Sequence, residues 1–220
     1  MIKLLFSLLL IIYYSDILYY GVDNADELAV TTMIKKLRPQ FVTTIGDNYY
    51  NPIAIDEAVG KYYGEFIGSY VGAYGSGSSA NRFFPALGNH DWRDAGGLND
   101  YLNYFTLPGK AIVSSNSSGN ERYYDFRLGN VHFFVIDTDT MEPDGNTQSS
   151  IQAQWLQNQL ASSNATWKLV RGHHPPFSSS SFRGNHPNLQ WPYQSWGATA
   201  MLSGHDHTYE RIEKTALPIL

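Results

Sequence analysis

The sequence predicts an α/β sandwich. Short apolar runs alternate with helical patterns along the chain, and most of those runs end in a turn that carries a carboxylate, amide, phenol or imidazole. A hydrophobic content of 43% over 220 residues is enough for one sizeable core. No repeat appears, and no linker is long enough to split the chain, so residues 1–220 read as a single domain.

The elements follow in order. Residues 8–14 read as a buried first strand. Lys3 and the apolar residues behind it also look like the start of a secretory signal, but no small-residue cleavage site follows and the run is short for a membrane span. Next comes a helix with Val30, Met33, Ile34 and Leu37 on one face. Asn24 and Glu27 fit a capping box, Lys35, Lys36 and Arg38 suit the C-terminal dipole, and Pro39 stops the helix. Residues 41–45 form the next strand. Residues 55–67 read as helical despite Gly60 and Gly64, and residues 72–79 as a Gly/Ser loop. A strand at 83–87 precedes a hairpin of 123–128 and 131–136 joined at Gly129-Asn130. A helix at 151–160, opened by Ser149 or Ser150, leads to strands at 167–170 and 198–202.

Composition excludes several classes of function. A net charge of -5 without a basic run gives no case for a dedicated nucleic-acid ligand. Without cysteine there is neither a disulfide nor a thiolate metal site, so any metal must sit on oxygen and imidazole donors.

The strand exits concentrate such donors. The first strand ends in Asp16, the second in Gly46-Asp47-Asn48-Tyr49-Tyr50, the third in Gly88-Asn89-His90-Asp91. The last two end in Arg171-Gly172-His173-His174 and Gly204-His205-Asp206-His207. In α/β sheets that end is where sites are built. Imidazoles at i and i+2 on an extended backbone project to the same side, so His205 and His207 are expected to reach into one small space. His132, inside the hairpin, reads as a hydrogen-bonded core histidine instead. Mixed oxygen and nitrogen donors suit Zn, Mn or Fe, and their number exceeds one ion's needs, as in sites where a carboxylate bridges two ions.

GDNYY, GNHD, VRGHH and GHDH, in this order, resemble the calcineurin-like metallophosphoesterases. Tyr50, three residues after Asp47, together with FFVIDTD, QAQWLQNQL and HHPPFSSSS, resembles the purple acid phosphatase branch. The resemblance spans residues 8–212 and implies a four-layer sandwich, two mixed β-sheets flanked by helices. It implies that Asp16, Asp47, Tyr50 and His207 hold a ferric ion, with Asp47 bridging, and that Asn89, His173 and His205 hold a divalent Fe, Zn or Mn. His90 and His186 would be the catalytic outer histidines, and Asn89, His90, His174 and His186 would face substrate. Asp91 and Asp206 are expected to orient neighbouring histidines. The implied activity is hydrolysis of phosphate monoesters by a metal-bound hydroxide. A phosphodiesterase or nucleotide pyrophosphatase is the alternative within the superfamily, and an inactive metal-binding relative the alternative outside catalysis. The family also favours a secreted or extracytoplasmic location.

Two features depart from the family pattern. Glycines usually flank the first aspartate, where this chain has Ser15-Asp16-Ile17-Leu18. Family members also continue into further strands after the last histidine pair, so a chain ending at Leu220 is expected to be a compact variant or a C-terminally truncated piece.

Overall fold

The computed structural model describes residues 10–11, 25–94, 96–109, 118–214 and 217–219. Asp16 and Asn24 lie outside the described residues, as does most of the expected first strand.

Two sheets form the centre. β1 (Leu10–Ile11), β2 (Val42–Thr43) and β3 (Phe83–Phe84) make a parallel three-stranded sheet in that order. The second, mixed sheet has the order β4-β5-β6-β7-β9-β8. Its hairpin, β4 (Tyr124–Leu128) with β5 (Val131–Val135), turns at Gly129-Asn130 as the sequence predicts. β6 (Trp167–Arg171) and β7 (Ala200–Leu202) continue it in parallel. After the last histidine pair come β8 (Ile212–Lys214) and β9 (Leu217–Ile219), an antiparallel pair that joins the sheet through β9 beside β7. Among the described residues no helix is long and apolar enough to cross a membrane.

Side-chain alternation explains the layering. On β5, Val131, Phe133 and Val135 face the first sheet, while Phe134 and Ile136 face α5 (Ile151–Ser162) through Ala153, Leu156 and Leu160. Phe84 stacks on Phe126 at 3.8 Å, and Phe41 meets Phe133 edge-on at 5.4 Å, so aromatic rings fill the space between the sheets. Beyond the first sheet lie α1 (Ala25–Lys36) and α4 (Gly97–Tyr104), which bury Ile34 and Tyr101. The result is helix, sheet, sheet, helix.

Three local expectations need correction. In α1 the buried residues are Glu27, Thr31 and Ile34, whereas Met33 and Leu37 are 56% and 62% exposed. The helix is rotated from the apolar stripe because the Thr31 hydroxyl donates to Tyr63 at 2.9 Å. Residues 55–67 are helical but irregular, with a π turn at Asp56–Gly60, a single α turn, α2 (Lys61–Tyr63), and a 3-10 turn at Gly64–Phe66. Gly60 leaves room for the hydroxyls of Tyr70 and Tyr104, which both donate to Asp56. Finally, α3 (Asn89–Arg93) and α4 are helices that the sequence reading leaves as loop. The other helices stand where expected, and Ser150 caps α5 by accepting from the Ala153 N–H at 3.1 Å.

Two arginines tie the layers together. Arg171, at the end of β6, is fully buried and donates to the Thr44 and Phe84 carbonyls at 2.5 and 2.7 Å, so it crosses from one sheet to the other. Arg122 grips buried Glu142 through two hydrogen bonds of 2.9 and 3.0 Å and reaches Asp144 at 2.9 Å. Arg122→Ala is expected to cost about 2–4 kcal/mol, somewhat below the range for a fully enclosed pair because solvent touches the arginine. Urea unfolding measures this. Arg211→Ala, whose partner Glu213 is equally exposed, should leave the midpoint nearly unchanged.

Candidate metal centre

The loops after β2, β3, β6 and β7 meet at one end of the two sheets. After β2 the chain turns through Gly46 (φ 97°) and Asp47 (φ 54°). A Cβ at Gly46 would lie 2.6 Å from His173 Nδ1, and one at Gly88 would strike Asp47, so glycine lets these loops touch. His173 is fully buried, and its Nδ1 lies 2.9 Å from the Ile45 carbonyl. A carbonyl only accepts, so Nδ1 carries the proton and Nε2 presents its lone pair.

That lone pair points into a cluster of acceptors. Nε2 of His173 is 3.1 Å from Asp47 Oδ2, 3.2 Å from Asn89 Oδ1 and 3.0 Å from His205 Nδ1. Carboxylate, amide oxygen and two imidazoles therefore converge from four loops and both sheets. Such a convergence can hold a cation, and this hard-oxygen and imidazole set fits Zn, Mn or Fe. Without one, a proton on His173 partly fills the role. Burial opposes that proton, but the Asp47 carboxylate outweighs it and the His173 pKa is raised. Burial likewise works against the Asp47 charge, yet His173 and the His90 backbone N–H hold Asp47 well below the usual carboxylate range. For His205, burial and then the His173 charge push the pKa down to about 3, which keeps that ring neutral and able to bind metal.

Asp47 Oδ2 has a second neighbour. The Tyr50 hydroxyl donates to it at 3.1 Å, so one carboxylate oxygen stands between His173 and Tyr50. Of the other residues implied beside Tyr50, Asp16 lies outside the described residues and His207 is exposed. His205 and His207 do not share an extended backbone. Both have left-handed φ, 73° and 53°, and this turn buries His205 while it turns His207 outward. The expected same-side projection is therefore corrected.

The outer histidines surround this cluster. His90 leads from α3, packs its ring 4.1 Å from that of Tyr50, and places Nδ1 3.0 Å from Asp94 Oδ2. His174 is buried with its Nδ1 2.9 Å from the Thr138 hydroxyl, and its ring is 4.3 Å from that of His205. Donor atoms of His173, His174 and His205 lie within 4.8 Å of one another. His186 is half-buried, 4.8 Å from His174 between ring centres, and its Nε2 has no hydrogen-bond partner among the described residues. Burial lowers the pKa of both His174 and His186.

The acidic neighbours behave differently from expectation. Asp91 binds no histidine: its carboxylate accepts from the backbone N–H groups of Gly88 and Asn48 and from the Asn48 amide. Burial and then the Asp47 charge raise its pKa to about 7. Asp206 accepts no hydrogen bond among the described residues. Among the outer histidines it is His90 that meets a carboxylate, Asp94, four residues on at the end of α3. That i,i+4 spacing was the available signal. His132, by contrast, is the expected core histidine, bonded to Ser163 and Asp125. Arg183 brings a cation to 3.5 Å from His205 Nε2, with no sequence signal beyond its place in the 178–186 loop.

Comparison with known proteins agrees with this geometry. The profile described as calcineurin-like phosphoesterase matches residues 10–209. Tartrate-resistant acid phosphatase type 5 of Sus scrofa is 24% identical over 214 residues, which cover 87% of this chain and 59% of that protein. The Rattus norvegicus protein of the same name is 25% identical over 213 residues, covering 86% and 61%. The chain thus spans about three fifths of the length of these relatives. Among solved structures, GAP50, the anchor in the inner membrane complex of Plasmodium, matches with a TM-score of 0.61 at 18% identity over 95% of this chain and 69% of that one. That likeness shows a shared fold, and the acid phosphatase relatives support the purple acid phosphatase branch. With the profile spanning nearly all of the sequence, the chain belongs to the calcineurin-like phosphoesterase family.

Proposed function

We propose that the protein is a binuclear metal-dependent phosphatase that hydrolyses phosphate monoesters. One observation carries the reading: polar atoms of Asp47, Asn89, His173 and His205 converge on one space, with His90 and His186 around it. Asn89, His173 and His205 would hold the divalent ion. Asp47 would be shared with a ferric ion on Tyr50 and Asp16, joined by His207 once its exposed ring turns inward. Ions held there would supply positive charge for the phosphate and acidify water. The chain's own residues supply the rest. His90, oriented by Asp94, faces partly outward at the mouth and can hand a proton to the departing alcohol. His186 and Arg183 bring donors beside His205, suited to anionic phosphoryl oxygens.

Turnover of p-nitrophenyl phosphate against bis-p-nitrophenyl phosphate, with elemental analysis of the same sample, tests the proposal. Preference for the monoester with about two metals per chain, one of them iron, is expected. Preference for the diester would replace phosphatase with phosphodiesterase, and metal without turnover of either would make the chain a binding relative.

Tyr50 gives an independent reading. A phenolate on ferric iron absorbs visible light, so the oxidised, iron-loaded protein is expected to be violet. Tyr50→Phe should be colourless at equal iron content, while Tyr49→Phe, whose hydroxyl donates to the Gly97 carbonyl, keeps its colour. Absorption spectra with iron assays check both, and a colourless iron-loaded wild type would remove Tyr50 from the ligand set.

A further inference from the structure

His174 stands among the metal-binding candidates, yet the hydrogen bonds around it assign it another part. Its partner is Thr138, buried in the loop after β5. The Thr138 hydroxyl oxygen accepts from the backbone N–H of His173 at 3.2 Å and from that of His174 at 2.9 Å. A hydroxyl oxygen has two lone pairs and one proton. Both lone pairs are used by these backbone donors. The contact of 2.9 Å to His174 Nδ1 must therefore use the Thr138 proton, with Nδ1 as acceptor. A neutral imidazole that accepts at Nδ1 carries its proton on Nε2. Nε2 is then a donor in the space His174 shares with His186 and His205, and its lone pair is unavailable to an ion.

We propose that Thr138 is a positioning residue that fixes His174 as an Nε2–H donor to a phosphoryl oxygen and so withholds it from metal binding. Of the three converging imidazoles, two bind metal and one binds substrate. The fold enforces the arrangement. The same hydroxyl anchors the backbone of both histidines, and Gly172 lets that loop pass so close that a Cβ there would lie 2.6 Å from Thr138 Cγ2. The choice of a phosphoryl oxygen rests on the phosphatase reading above. The tautomer does not.

Imidazole nitrogen NMR on uniformly 15N-labelled full-length protein tests both parts, with His174→Gln assigning the signals. In metal-free wild type, His174 is expected to show a protonated Nε2 and an unprotonated Nδ1. Adding Zn(II) should shift the ring nitrogens of His173 and His205 and leave the His174 Nε2 proton in place. Inorganic phosphate added to the zinc-loaded protein should then move that proton's signal. In Thr138→Val the tautomer should lose its preference and phosphate affinity should fall about tenfold or more, with Thr138→Ser restoring both. A protonated Nδ1 in wild type, a zinc-bound His174, or a phosphate-insensitive Nε2 proton would each overturn the proposal. If Thr138→Val fails to fold, the wild-type spectra decide alone. Absence of ester hydrolysis would count against the phosphatase reading while these spectra still decide the role of His174.

Discussion

His90→Ala is expected to lower kcat by about 10²–10⁴-fold on an alkyl phosphate, whose leaving group needs a proton. The loss should be far smaller on p-nitrophenyl phosphate, because nitrophenolate departs without help. The expectation follows from placement. His90 holds its backbone N–H on Asp47, its ring against Tyr50 and its Nδ1 on Asp94, which leaves Nε2 for the substrate side. Asp94→Ala should lower kcat on the alkyl ester about tenfold with little change in KM, since orientation is lost and the imidazole remains. Steady-state kinetics of the two variants on both substrates measures this. Equal losses on both esters would make His90 a binding group.

Arg171→Met should lower stability by about 1–3 kcal/mol. Two effects oppose each other. Removing the arginine strips buried donors from the Thr44 and Phe84 carbonyls, at about 1–3 kcal/mol for each unsatisfied group. It also removes a buried cation that has no carboxylate partner among the described residues and whose pKa burial has already lowered, and that offsets part of the cost. The Thr44 carbonyl carries most of the loss, because the Phe84 carbonyl keeps the Thr43 hydroxyl and the Thr44 N–H as donors. Urea unfolding checks the magnitude, and Arg171→Lys, able to reach only one of the two carbonyls, should fall between the variant and wild type.

Much of the fold was legible because the strands are short apolar runs, several of them ended by glycine, and that pattern survives without knowledge of tertiary contacts. The convergence of Asp47, Asn89, His173 and His205 was legible for the same reason: strand ends place them together whatever the intervening loops do. What sequence could not supply was rotation and handedness. The apolar stripe of α1 misplaced its buried face because Thr31 found a tyrosine hydroxyl across the layer. The pair His205 and His207 looked symmetrical only on an extended backbone, and left-handed φ at both broke the symmetry. α4 was hidden by the glycines at its start and by its polar composition. Asp94 was signalled only by its spacing from His90, and Thr138 was silent because its role depends on which atoms face it. Each is an ordinary residue until a neighbouring loop arrives.

The division of the donor set between the two sheets has a mechanical meaning. Asp47 and Asn89 follow β2 and β3, whereas His173 and His205 follow β6 and β7. An ion gripped by all four would be a rivet through the seam between the halves of the sandwich. Its occupancy would then enter the unfolding equilibrium: at a free concentration a hundred times Kd, one such ion adds about 2.7 kcal/mol to stability. Melting curves taken across a series of metals would therefore rank the ions by how firmly they close the seam, including those that are colourless and support no turnover.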